Sequence, residues 1–421
     1  MPIHLNHLKD MFLIQKSFTN QIIKWCIPIL VLLLFCACGS KKAIVHNPVS
    51  FGIAPKKLAV FMDGTTNNER SYTNVSKLYN LVSLQNNPNI SAAYLRGVGN
   101  GADFAGMITG AGIRGEVCNG YLYLAEHYDH KRKDEIYLFG FSRGAYAARI
   151  LAGMIHSAGI IDLSNIPRNK RLRFIKKIYN AHKGNKTLQE RRNAVFEVTQ
   201  QRVVYDDYKI EFMGLWDTVA SLGIPDFKDD YYVEETKYHD QLCNVKRASQ
   251  ALSLNDNRGS IFTPSILSDD YLVQECMEIN PQDIVNEVWF FGAHSDVGGG
   301  ALNTNISGVS LNWMIGQLKE YELLSPTSAV YENRMDITNN PRNGFMKLFY
   351  PKKGRKLVFF TSKNGYKKEK LKLHHSVLDR LEGSLQTYEI NLIKLFGECF
   401  KKNDKGGYDY LEDSECFDIV N

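Results

Sequence analysis

The chain has 421 residues, 44% of them apolar and 23% charged, proportions that build a packed core and exclude a wholly disordered protein. A formal net charge of +6, spread over several segments and unaccompanied by any RNA- or DNA-binding motif, argues against a nucleic-acid partner. Five cysteines lie beyond the N-terminal apolar segment (Cys118, Cys243, Cys276, Cys399 and Cys416); with no CxxC pair among them they argue against a zinc site, and their spacing selects no disulfide.

In chain order, the first element is an export signal. Ile22 to Phe35 is almost continuously apolar, preceded by Lys16 and followed by Cys36-Ala37-Cys38-Gly39-Ser40. A basic flank, a short apolar run and small residues describe a secretory signal peptide, and the run is short for a transmembrane helix. Phe35 to Gly39 resembles a relaxed bacterial lipobox with Cys38 as the lipidated residue. Residues 1–37 are therefore expected to be a signal peptide and 38–55 a polar tether, with the protein anchored in the bacterial cell envelope.

Next come short apolar runs, each ending in small or polar residues: Lys57–Met62 before Asp63-Gly64-Thr65, Ala92–Leu95, Glu135–Phe139 before Gly140-Phe141-Ser142, Lys209–Leu215 before Trp216-Asp217, and Glu287–Phe291 before Gly292-Ala293-His294. Helical stretches, such as Ile113 to Tyr128 and Gly144 to His156, separate them. This alternation predicts an α/β fold with a mostly parallel central sheet flanked by helices. In open α/β sheets the ligand site lies at the carboxyl ends of the strands, where these polar clusters fall. The catalytic domain is expected over residues 56–385, with insertions near 160–205 and 222–285, and 386–421 as a C-terminal extension.

Gly140-Phe141-Ser142-Arg143-Gly144 has the layout of a nucleophile elbow: strand, G-x-S-x-G, helix. The turn is tight enough to require small flanking residues, and it raises the serine hydroxyl at a helix N-terminus with the Arg143 amide facing a developing oxyanion. A hydroxyl needs a general base oriented by a third group, and in hydrolases of this layout the acid precedes the histidine in sequence. Asp217 and His294, each at a strand end, satisfy that order. Asp296 competes for the acid role; His374 and His375 compete for the base. Asp63, Gly64 and Thr65 are expected to form the adjacent oxyanion loop, with a backbone amide as second donor and Asp63 as brace. Asp63-Gly64-Thr65 also resembles part of an aspartyl phosphotransferase motif, but Phe61 occupies the nucleophile position and excludes it. Gly298-Gly299-Gly300 is not followed by Lys-Ser/Thr, so nucleotide binding is not indicated. No metal or cofactor is implied.

Taken together, these blocks resemble one family, the domain linked to the class-one phospholipase effectors of type VI secretion. The matching stretches include Phe61-Met62-Asp63-Gly64-Thr65, Leu138–Tyr146, Gly214-Leu215-Trp216-Asp217-Thr218 and Gly292-Ala293-His294-Ser295-Asp296, over roughly residues 56–380. The resemblance implies an α/β-hydrolase core with a membrane-facing insertion, and acyl-ester cleavage by Ser142, Asp217 and His294. Gln250 to Asp256, read as a helical block, carries Gln and Asn where the family tends to have His and Asp.

The expected function is a serine hydrolase of acyl esters, with membrane lipid or a lipid-like ester as substrate. The alternative is a non-catalytic envelope lipoprotein that uses the same fold to bind. Two basic segments, Arg168–Arg192 and Lys347–Lys372, are either solvated faces or surfaces for anionic headgroups, the first expected at the mouth of the site.

Overall fold

The computed structural model describes residues 43–97, 111–200, 208–220, 240–258, 264–301, 305–341, 370–383 and 391–421, apart from a few positions within those ranges, together with 203–204, 352, 354, 355 and 357. The expected signal peptide and Cys38 lie outside the described residues.

Nine strands form the main sheet: β1 (Ile44–His46), β2 (Lys57–Met62), β3 (Ile90–Leu95), β4 (Glu135–Phe141), β5 (Ile210–Trp216), β6 (Ala248–Ser253), β7 (Val285–Phe290), β8 (Leu371–His374) and β9 (Phe417–Val420). Their spatial order is β1-β3-β2-β4-β5-β6-β7-β8-β9. Only β1 is antiparallel to its neighbour; the other pairings are parallel. Parallel strands need covered faces, and β2 shows why this chain satisfies that need. Leu58, Val60 and Met62 point to one side and Ala59 and Phe61 to the other, all fully buried.

The first side packs against α2 (Ala111–His127) and α3 (Arg143–Ala158) through Val117, Tyr121, Leu124, Ala147 and Leu151. On the second side, Val75 and Leu78 come from α1 (Asn74–Leu84), and Leu311, Met314 and Ile315 from the helix Ser307–Gln317. The chain thus winds helices onto both faces. Because β2 is flanked by β3 on one side and β4 on the other, the strand order reverses there, and the crevice at such a switch point is where these sheets bind ligands.

Several expectations are corrected. Gln250–Asp256 is not a helical block: Gln250 to Ser253 belong to β6, buried between β5 and β7, and a short buried run carries no periodicity that separates strand from helix. The 222–285 window therefore contains a central strand as well as insertion. The tether contributes β1, whose Ile44, Val45 and His46 pair with Tyr94, Ala93 and Ala92. The C-terminal extension contributes β9, which pairs in parallel with β8.

The basic segment Arg168–Arg192 forms α4 (Arg168–His182) and the start of α5 (Leu188–Thr199). The buried face of α4 is Ile175, Ile178, Tyr179 and His182, and its charges lie on the other face. Arg171 pairs with Glu126 of α2, and His182 bonds Ser157 at the far end of α3, about 20 Å from Ser142 at 1.5 Å per residue. These contacts make it an amphipathic outer layer with a solvated basic face, not a rim of the Ser142 site.

Candidate active site

The strand-to-helix turn after β4 is built by its glycines. A Cβ on Gly140 would lie 2.5 Å from Ala145 Cα, and one on Gly144 would lie 2.2 Å from the Met62 carbonyl oxygen. Only glycine lets α3 double back so closely on β4 and β2. The turn forces Ser142 to φ 56° and ψ −124°, a conformation costing a non-glycine residue about 1–3 kcal/mol. It is held from outside: Ser142 N–H donates to the Trp216 carbonyl at 3.0 Å, and the Val219 amide donates to the Ser142 carbonyl at 3.3 Å.

Asp217 follows β5 directly, also at positive φ (42°), with its amide bonded to the Ala251 carbonyl of β6. Its carboxylate is fully buried and fully engaged. Oδ1 accepts from the Ser253 amide (3.0 Å) and Arg355 Nη1 (2.7 Å); Oδ2 accepts from Arg355 Nη2 (2.7 Å) and meets His294 Nδ1 at 2.5 Å. Burial alone would raise this carboxyl, but the Arg355 guanidinium overrides it and, with His294, holds it well below the usual carboxylate range. An ionised Asp217 cannot donate, so Nδ1 carries the shared proton and Nε2 keeps its lone pair.

The His294 ring lies against Phe141, centroids 4.6 Å apart, next to Ser142 in sequence. Its amide donates to Asp256 Oδ2 at 3.2 Å, and Arg258 clamps the Asp256 carboxylate. Burial lowers the imidazole below its ordinary value, against the pull of Asp217, so His294 rests neutral at pH 7.

Beside the elbow, Asp63 accepts from the Gly64 amide (2.7 Å), Thr73 Oγ1 (2.6 Å) and Tyr94 Oη (2.5 Å). Its burial lifts the carboxyl to about 6. A Cβ on Gly64 would come within 3.2 Å of Ser142 Cβ, so this loop presses on the serine. Arg143 Nε hydrogen-bonds Thr65 Oγ1 and ties the loop to the first turn of α3.

Residues 56–317, more than half the chain, match the model of the type VI secretion phospholipase effector Tle1-like catalytic domain. The chain belongs to this family. An uncharacterized Saccharomyces cerevisiae protein is 30% identical over 245 residues, covering 52% of this chain and 34% of that one. A Pseudomonas aeruginosa protein of uncharacterized function is 17% identical, with a TM-score of 0.37 over 65% of this chain and 48% of its own. The Tle1 effector bound to the VgrG spike is 18% identical, with a TM-score of 0.32 over 60% of this chain and 52% of its own. Thermogutta terrifontis esterase 2 is 10% identical, with a TM-score of 0.38 over 68% of this chain and 94% of its own. The chain spans about a third of the length of the curated relative and about half of each of the first two structures.

The competing residues sit elsewhere, Asp296 within the matched domain and His374 and His375 beyond it. Asp296 Oδ2 accepts from the Ala293 amide, and the carboxylate also takes the Asn339 amide and side chain; it braces the turn that carries His294. His374 bonds Ser376 and stacks on Phe290; burial, with the charges of His375 and Arg334, pushes its imidazole down to about 3. His375 faces Arg334 and Asp379. Gly64, expected as an oxyanion donor, has its amide on Asp63.

Sequence reasoning missed Arg355, which stands among lysines in a segment read as a surface, and nothing in its spacing marks it. It also missed the polar end of β6, where Ser253, Asn255 and Asp256 hold Asp217 and the His294 loop together. Gln250 lies deeper, joining Thr218 to Glu287. Cys243 pairs with Cys276, and Cys399 with Cys416. Among the described residues, no group of three or more His, Cys, Asp or Glu is arranged to hold a metal ion, and no helix is long and apolar enough to cross a membrane.

Proposed function

We propose that this chain is a serine hydrolase that cleaves acyl esters of phospholipids, with Ser142 as nucleophile, His294 as general base and Asp217 as the acid that orients it. The observation that carries this reading is the buried Asp217–His294 hydrogen bond of 2.5 Å beside a serine held in a strained strand-to-helix turn. Membership in a phospholipase catalytic-domain family supports the substrate class.

In the first half-reaction, Ser142 Oγ attacks the acyl carbon while its proton passes to His294 Nε2. The oxyanion is held by the Arg143 amide at the start of α3 and by the Thr65 amide of the neighbouring loop. Collapse expels the lipid alcohol, which takes the proton back from Nε2. Water then attacks the acyl-enzyme, giving its proton to Nε2, and collapse returns that proton to Oγ as the fatty acid leaves. Asp217 remains ionised throughout and stabilises the transient imidazolium.

The test is activity-based labelling with a fluorophosphonate, alongside release of fatty acid from phospholipid vesicles. Wild type should be labelled and release fatty acid, whereas Ser142→Ala should do neither while keeping its fold. Labelling that persists in Ser142→Ala would move the nucleophile elsewhere.

The same reading puts the protein in the bacterial cell envelope, anchored through lipidated Cys38. The two disulfides support it, because such bridges persist in oxidising compartments.

A further inference from the structure

The most unusual feature of the site is the charge beneath it. Acids that orient a catalytic histidine can be held by neutral donors alone; Asp217 has a guanidinium instead. Arg355 is fully buried and grips both carboxylate oxygens, each at 2.7 Å, while Nη1 also reaches the Ser253 carbonyl at the end of β6. A planar fork matched to a carboxylate fixes its rotation as well as its position. Turning Asp217 about its own axis would break two charge-assisted bonds at once. That rotation would carry Oδ2 away from His294 Nδ1. Arg355 lies beyond the family-matched stretch, 138 positions from Asp217, so the contact is tertiary and not a consequence of the local turn.

We infer that Arg355 is a positioning residue of the hydrolytic site, fixing the Asp217 carboxylate towards His294 and neutralising it so that the Asp217–His294 pair resists taking up a second proton. The inference rests on the function proposed above. Its logic is electrostatic. Without a cation, a buried Asp217 would gather a second proton onto the pair, either on itself or on His294, and in both forms His294 is unfit to take a proton from Ser142. A positive charge on the far side of the carboxylate makes that extra proton less welcome. The other charged groups facing His294 are Asp256, which attracts a proton, and Arg258, which opposes it while clamping Asp256. The Phe141 ring adds no charge. Asp256 and Arg258 act on His294 in opposite senses, and Arg355, which also holds Asp256 down, is the cation that directly faces Asp217.

The experiment compares wild type with Arg355→Ala, Arg355→Lys and Asp217→Asn, using a short soluble ester, full pH profiles of kcat and kcat/KM, and a folding check by circular dichroism. Arg355→Ala is expected to lose about 100-fold in kcat with KM within about threefold, a transition-state defect. Its acid limb should move up by about one pH unit or more, because the pair now binds its proton more tightly. Millimolar guanidinium should restore both kcat and the limb. Arg355→Lys keeps the charge but not the fork, so its limb should stay near wild type while kcat falls at least tenfold.

A folded Arg355→Ala with an unmoved limb, or one that guanidinium does not rescue, overturns the inference. If Arg355→Ala does not fold, Arg355→Lys decides: wild-type kcat there refutes positioning by the fork. Absence of hydrolysis and labelling in wild type would instead overturn the proposed function itself.

Discussion

Asp63 offers a direct measurement of how tightly the loop beside Ser142 is built. It is fully buried among uncharged donors, and its carboxyl is raised from 3.8 to about 6. A raised folded value means that its contribution to stability is complete below about pH 4 and is lost as pH rises towards 6. Two pH units at 1.36 kcal/mol each come to roughly 3 kcal/mol. Asp63→Asn removes this titration without removing the shape. The amide oxygen can accept from Gly64, and the Thr73 and Tyr94 hydroxyls can turn to accept from the amide nitrogen. Guanidinium chloride unfolding of both proteins between pH 3.5 and 8 isolates the effect. The stability of Asp63→Asn relative to wild type should climb by up to about 3 kcal/mol between pH 4 and 7 and be level on either side. Asp217 titrates in the opposite sense, stabilising above its unfolded value and losing that contribution in acid, but it is common to both proteins and cancels. A flat difference across the window would refute the reasoning, since Asp63 would then be ionised at no cost.

Replacing Ser142 by glycine should abolish hydrolysis yet raise unfolding free energy by about 1–3 kcal/mol, because glycine tolerates the positive φ of the elbow; equal or lower stability would mean that the turn is unstrained. Peptide mapping under non-reducing conditions should recover Cys243 joined to Cys276 and Cys399 joined to Cys416, and the double Cys243→Ser, Cys276→Ser variant should lose about 3–4 kcal/mol because the intervening loop is no longer closed in the unfolded chain. Metabolic labelling with a palmitate analogue should tag wild type, and tagging that survives Cys38→Ser would remove that residue as the anchor.

The central strands are legible in sequence because they are buried on both faces, which makes Leu58–Met62 and Ile136–Phe139 continuous apolar runs. The elbow is legible because steric closeness demands glycine at positions 140 and 144. β6 is not legible, since Ala248-Ser249-Gln250 carries little hydrophobicity and its polar side chains are satisfied only by residues distant in sequence, such as Glu287. The edge strands are three or four residues long, and pairing rather than composition defines them. Arg355 is the extreme case: in a basic stretch a buried arginine and a solvated one look alike until the carboxylate that claims it is located. The placement of Arg168–Arg192 failed for a related reason, because an amphipathic basic helix records which face is wet but not which surface it covers.

The dispersal of these groups along the chain bears on how such an enzyme is made. Ser142 emerges from the ribosome long before Arg355, an interval on the order of ten seconds or more at ordinary rates of synthesis. The strands that present Asp217 and His294 are completed between the two. A nascent chain therefore carries its proposed nucleophile through about half of its synthesis before the carboxylate that orients the base can be fixed. The last member to arrive comes from a segment that must travel back to the centre of a sheet whose β8 and β9 are still to be made. For an ester hydrolase, late assembly keeps the unfinished chain from acting on the esters it meets before it is complete.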